Sequence, residues 1–417
     1  MKEKLIVVFL MAITNVAFLK TIEKETDYSS MLIYGKVTTV SDQEYVGQIR
    51  WGDEEAFWFD FFNSQKPDNK NLKYLSKSEL KDLNEKDHHA SNDNWWGWGN
   101  KKWNWDNDHE HVFACQFGDI KSLDIRGKEK VVLELKNGEK IKLIGGSNDI
   151  GADIQVSDPE LGHVKLDWKR VSHVEFMKAP KGLESYYGDP LYGTVETRDG
   201  NFTGYVQWDH DERLGHDELN GDTRDGEIDI KFSKIASIEK DYGGSIITLF
   251  SGREFDLSGS NDVDDDNRGI IVNSPDYGRV DIDWDEFEKV DFIKEAPLAA
   301  KSYDEYQGEK HLEGTVITQD GDTFRGRLVF DLDEEYKLEM LNGMLDEIEY
   351  FIPFSHVRSV SPLNRAESKV ELVNGKEYTF DDKVDVNEDN DGVLIFSSDD
   401  DYQYVMWEDI KQVRFDN

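Results

Sequence analysis

Carboxylates and indoles are the side chains of this 417-residue chain whose types and spacing could do chemistry. Three acidic stretches follow hairpins at comparable places: Asn148-Asp149-Ile150, Asn261-Asp262-Val263 and Val384-Asp385-Val386. The second runs on through Asp264, Asp265 and Asp266, and the third through Asn387, Asp389, Asp391 and Gly392. Alternating oxygen ligands followed by glycine open a calcium loop, and Leu394 stands where such a loop places an aliphatic residue. Asp262, Asp264 and Asp266, with Asn387, Asp389 and Asp391, are therefore the candidate metal ligands, and calcium the candidate ion. Against this, Ser398 occupies the place of the bidentate acid, and the first stretch lacks the following acids. A solvated acidic turn is the competing reading.

The indoles crowd into one place. Trp95, Trp96, Trp98, Trp103 and Trp105 lie among Asn, Asp and Gly. Flat rings on a polar loop offer a large stacking area at low entropy cost, which suits a glycan platform or a protein hot spot. The competing reading folds them back over a neighbouring barrel. The same stretch holds His88, His89, His109 and His111 with Asp106 and Asp108. His109-x-His111 could begin a transition-metal site, but a full ligand set is missing.

Enzyme signatures are absent: no Gly-x-Ser-x-Gly elbow, no His-Glu-x-x-His helix, no phosphate-binding glycine loop and no Cys-His pairing. Cys115 is the single cysteine and alternates with Phe113 and Phe117, as a core residue does. Carboxylates are so numerous that they single out no acid and base. The expectation is a protein that is not an enzyme, with a carboxylate glycosidase as the least favoured alternative.

Charge narrows the partners. With 88 Asp and Glu against 49 Lys and Arg, the formal charge is -39. Such a surface repels nucleic acid and anionic lipid, and attracts divalent cations and basic partners. Aromatic residues at 12%, including 11 Trp, provide ample material for a core. At the start, Lys2 and Lys4 precede an apolar run from Leu5 to Leu19, broken only by Thr14 and Asn15. That pattern suits a secretory signal peptide or anchor over residues 1–22, and the run is shorter than the ~20 residues of a membrane span. The expected location is outside the cytoplasmic membrane, periplasmic or secreted.

The elements that must position these groups are repeated. An aromatic-x-x-apolar-x-x-apolar pattern occurs six times, beginning at Phe117, Trp168, Phe232, Trp284, Phe354 and Trp407. Phe and Trp alternate, and each Phe-to-Trp step is just over fifty residues, so a duplicated half-unit has been triplicated. Each odd half opens on Gly35-x-Val37, Gly193-x-Val195 or Gly314-x-Val316. A second glycine follows at Gly47, Gly204 or Gly326, then Trp51, Trp208 or Phe330. Each even half opens on a hairpin turn, Asn137-Gly138, Ser251-Gly252 or Asn374-Gly375. Val280, Ile282 and Trp284 alternate with Asp281, Asp283 and Asp285, a half-buried strand. The step of three after each aromatic fits a single 3₁₀ turn before the last strand.

Hairpins, further strands and a 3₁₀ turn in this order resemble the Src-homology-3-like or Sm-like small barrels, at the level of fold alone. The resemblance implies an all-β chain of three tandem repeats, each a pair of small barrels or one β-sandwich. The repeats span 31–178, 190–295 and 311–417, and the first carries a Trp-rich insertion over 60–112. The functional expectation is an exported acidic binding or scaffolding module with a protein or glycan partner. A calcium-dependent structural protein of the envelope is the alternative.

Overall fold

The computed structural model describes residues 27–87, 112–145, 149–274, 277–298, 300–398 and 400–416. The fold is all-β: antiparallel sheets with a single α-helix among the described residues, α1 (Lys77–Asp87).

The first unit shows how the sequence pattern becomes a sheet. Its strands are β1 (Tyr34–Thr39), β2 (Glu44–Trp51), β3 (Phe61–Gln65), β4 (Val112–Gln116), β5 (Ile120–Ile125), β6 (Lys130–Leu135), β7 (Lys140–Ile144), β8 (Ile154–Asp158), β9 (Gly162–Leu166) and β10 (Val171–Phe176). Their order across the sheet is β4-β3-β7-β6-β5-β10-β1-β2-β8-β9. Take β1–β5 as the first half and β6–β10 as the second. The order is then unchanged when read from the other end with the halves exchanged. The last strand of each half leaves its own half and pairs with the first strand of the other, β5 with β6 and β10 with β1. The two meet in a central seam where Leu123 faces Val174. A fifty-residue half buries too little surface to stand alone, and here two such halves interleave around one shared core.

The corresponding eight strands of the second and third units follow the same order. In the third unit the hairpin Met340–Leu345 and Ile348–Pro353 reaches out and pairs with strand Gly278–Ile282 of the second. That ten-stranded sheet therefore crosses the connector between the units.

The repeated aromatics Phe117, Trp168, Phe232, Trp284, Phe354 and Trp407 are all buried. A 3₁₀ turn starts at every one except Trp284, where Phe287 N–H closes a turn onto the Asp283 carbonyl instead. The opening glycines allow close strand approach: a Cβ on Gly35 would lie 2.5 Å from the Glu175 carbonyl oxygen, and on Gly193 2.6 Å from that of Asp291.

The units are locked to one another through a repeated acid nine residues after the odd-half aromatic. Asp60, Asp217 and Glu339 each accept two N–H groups of the preceding turn. Each also receives a cation from a different unit. Arg213 of the second unit reaches Asp60 of the first at 2.8 Å, and Arg50 of the first reaches Asp217 of the second at 2.6 Å. Lys66, from the insertion, lies 2.5 Å from Glu339 and 3.1 Å from Asp333 of the third unit. The Arg213 contact is one of charge, since its angle falls outside hydrogen-bond geometry. Arg213 donates a hydrogen bond instead to Gln207, at 2.9 Å, and lies over the Phe57 and Phe59 rings.

Candidate functional site

The turn that follows each odd-half aromatic carries the chemistry. Trp51, Trp208 and Phe330 each exchange backbone hydrogen bonds with the residue four further on, which is Glu55, Glu212 or Glu334. The intervening turn needs left-handed backbone directly after the aromatic, filled by Gly52 (φ 60), Asp209 (φ 47) and Asp331 (φ 49). The buried acid of the even-half loop arrives beside this turn: Asp149, Asp262 or Asp385. Its carboxylate accepts the N–H of Asn63, Asn220 or Asn342 at 2.5, 2.6 and 2.6 Å. In the first two units its carbonyl also takes the indole N–H of Trp51 or Trp208.

Three carboxylate sites result. In the second and third units, Asp209, Glu212 and Asp262, and likewise Asp331, Glu334 and Asp385, each bring oxygens within 4.8 Å of one another. In the first unit glycine replaces one acid and the Glu55–Asp149 pair remains. Glu55 is only 6% exposed. One oxygen of each glutamate, Oε2 of Glu55, Glu212 and Glu334, is sealed from solvent and without a hydrogen-bond partner. Burial, reinforced by Asp262, Asp211 and Asp209, pushes Glu212 up to about 9. Burial and Asp149 hold Glu55 well above the usual carboxylate range, and burial with Asp385 does the same for Glu334. Asp149 and Asp385 are raised by burial to about 7, tempered by their asparagine N–H bonds. Burial and mutual repulsion thus make each cluster favour uptake of positive charge. Oxygen-only ligand sets of this kind suit hard divalent ions.

The second feature is a groove on the third unit. The insertion leaves the first unit after β3 and crosses to the third. Asn71 Nδ2 donates to the Leu332 carbonyl, and Leu75 and Leu83 pack on Val329, Leu332, Leu394 and Phe396. Beside this strap lies a groove of about 840 Å³. Its lining includes Asp82, Glu388, Asp389, Asp391, Glu408 and Arg365, with the largely buried Tyr404 and Trp407, and Arg365 lies 3.6 Å from Glu388.

Of the metal ligands expected from sequence, Asp262 enters a carboxylate site, with partners drawn from the turn after Trp208 and not from its own loop. Asp264 accepts the N–H of Asp266, and Asn387 that of Asp389, each closing a local turn. Asp389 and Asp391 line the groove, and Asp391 N–H bonds Asp331. Trp95, Trp96, Trp98, Trp103 and Trp105 lie outside the described residues, as do the histidines of the insertion and residues 1–22. Sequence reasoning missed Glu55, Glu212 and Glu334, although their fixed offset from the repeated aromatic was a usable signal.

No protein-family model and no curated protein matches the chain. Among solved structures, one titled "Streptogramin B lyase structure" is similar at 14% identity, covering 72% of this chain and 94% of its own, with a TM-score of 0.11. A score that low establishes no common fold, and the lyase's activity carries no weight for this chain.

Proposed function

We propose that the chain is an exported, non-enzymatic binding module whose partner is a protein presenting a basic segment, held in the groove of the third unit. The observation that supports this reading is the groove itself: five acids and one arginine in a lining that also includes Tyr404 and Trp407, beside the strap that leads into the Trp-rich stretch. Aromatic area gives such a site affinity, and the carboxylates give it charge selectivity. The net charge of -39 favours the same class of partner over nucleic acid.

A lysine-rich decapeptide titrated into the full chain tests it. Any acidic surface attracts such a peptide, so two triple variants are compared. Neutralising Glu388, Asp389 and Asp391 to amides should abolish binding at physiological salt. Neutralising Asp264, Asp265 and Asp266 should leave it intact. Equal losses in both variants would sink the reading. Saturable binding of a neutral oligosaccharide, lost only in the groove variant, would replace the basic segment by a glycan.

A further inference from the structure

We infer that strand β9 of the first unit and strand Gly226–Lys231 of the second are the two halves of a contact between copies of this chain, joined edge to edge as one antiparallel sheet. The template for this contact lies inside the molecule. Strand Gly278–Ile282 of the second unit takes the third unit's strand Ile348–Pro353 along its outer edge, with Arg279 opposite Phe351, Val280 opposite Tyr350 and Asp281 opposite Glu349. The repeat supplies further copies of both partners. Counted back from Trp168 and Trp284, β9 corresponds to Gly278–Ile282. Counted back from Phe232 and Phe354, Gly226–Lys231 corresponds to Ile348–Pro353.

The remaining copies of these two edges are engaged within the molecule. Ala114 of β4 packs with Met340 and Phe351 of the third unit, and Tyr404 of strand Asp401–Val405 clusters with Leu75 and Leu83 of the strap. Among the described residues, β9 is laddered to β8 alone, and Gly226–Lys231 to Glu218–Thr223 alone. Side-chain contacts at β9 are light: His163 stacks on the half-exposed Tyr186 ring, and Lys165 lies 3.7 Å from Asp153.

Charge complementarity names the occupant. With the internal register carried over, His163 meets Asp229, Val164 meets Ile228 and Lys165 meets Glu227. The half-buried Val164 and Ile228 pack against their own cores, while the exposed His163, Lys165, Glu227 and Asp229 alternate with them. Opposite charges and apolar pairs directly across a ladder stabilise it, and like charges destabilise it. Paired with itself, either strand would set base against base or acid against acid, a device that keeps edges apart. Each edge therefore fits the other and not itself. The two do not pair within one molecule, so the complement of each is the edge of a second copy.

Sedimentation equilibrium of the full chain at sub-millimolar concentration tests the contact. Wild type should show mass above the monomer, rising with concentration. Because each copy carries both edges, pairing either closes as a two-fold dimer or continues head to tail. Lys165→Glu sets acid against Glu227, and Glu227→Lys sets base against Lys165. Both positions are exposed, so neither change disturbs a core. Each variant alone should associate at least about ten-fold more weakly, since like charges across an interface are costly. Mixed in equal amounts, the two variants should regain wild-type association, because each supplies the edge that complements the other's. A monomeric wild type, single variants that associate as wild type does, or a mixture no better associated than its components overturns the inference.

Discussion

Replacing Arg213 by methionine should unhinge the first two units. The guanidinium and the Asp60 carboxylate are 2% and 1% exposed and 2.8 Å apart. Methionine keeps the apolar stem over Phe57 and Phe59 but leaves Asp60 charged and buried. Breaking such a pair costs about 3–5 kcal/mol. The lower end applies here, because Asp60 retains the N–H bonds of Ala56 and Phe57 at 2.7 Å each. Arg325→Met, which breaks a pair of equal length whose side chains are 71% and 42% exposed, should cost less than about 1 kcal/mol. Arg213→Met with Asp60→Asn should recover part of the loss, a coupling of about 1–3 kcal/mol. Urea unfolding followed by tryptophan emission measures these three variants and Asp60→Asn alone, fitted with more than one transition because several units are present. Arg213→Met within 1 kcal/mol of wild type, or a double variant as unstable as the sum of the singles, would refute the account of the lock.

Glu54 and Glu212 are raised by burial to about 9, and Asp149, Asp385, Asp119 and Glu349 to about 7. The folded chain therefore binds more protons than the unfolded chain, whose carboxyls titrate near 4, so stability falls as pH rises from about 5 to about 9. A calorimetric melting temperature that climbs over that range would contradict these assignments. Alanine at Trp95, Trp96 and Trp98 together should weaken partner binding by about 2 kcal/mol or more, read by titration, with the melting of the other units unchanged. Gly118→Ala places a methyl inside contact distance of the buried Tyr306 ring and should cost about 1–3 kcal/mol in urea unfolding. Assays on polysaccharides, peptides and esters should give no turnover above background, and turnover lost on changing one carboxylate would reverse that expectation.

What could be read from the sequence was local. Phe117, Trp168 and their counterparts announced themselves because one aromatic, one 3₁₀ turn and one strand fit inside a few residues. Strand exchange was invisible: β5 has the same alternating pattern whether it pairs with its own half or with the other. Asp262 was noticed with the acids of its own loop, since local spacing suggested a loop that closes on itself, and Asp385 only as part of an acidic stretch. The fold instead brings them to Glu212 and Glu334, about fifty residues away in sequence. The docking of Leu75 and Leu83 on the third unit depends on contacts some 250 residues apart, which no periodicity reports.

The hairpin that the third unit lends to the second also bears on how the protein can be shortened. Strand Gly278–Ile282 meets Phe351, Tyr350, Glu349 and Ile348 along its outer side. A chain ended after the second unit would bare that row of N–H and C=O groups on a strand whose Val280 and Ile282 are apolar, a template for self-pairing. Outermost strands of the intact molecule are blunted differently: Asp401–Val405 carries Asp401 and Gln403, and Gly162–Leu166 carries His163 and Lys165. A two-unit fragment should therefore oligomerise or aggregate more readily than the full chain, because the third unit's hairpin covers an edge that the second would otherwise expose.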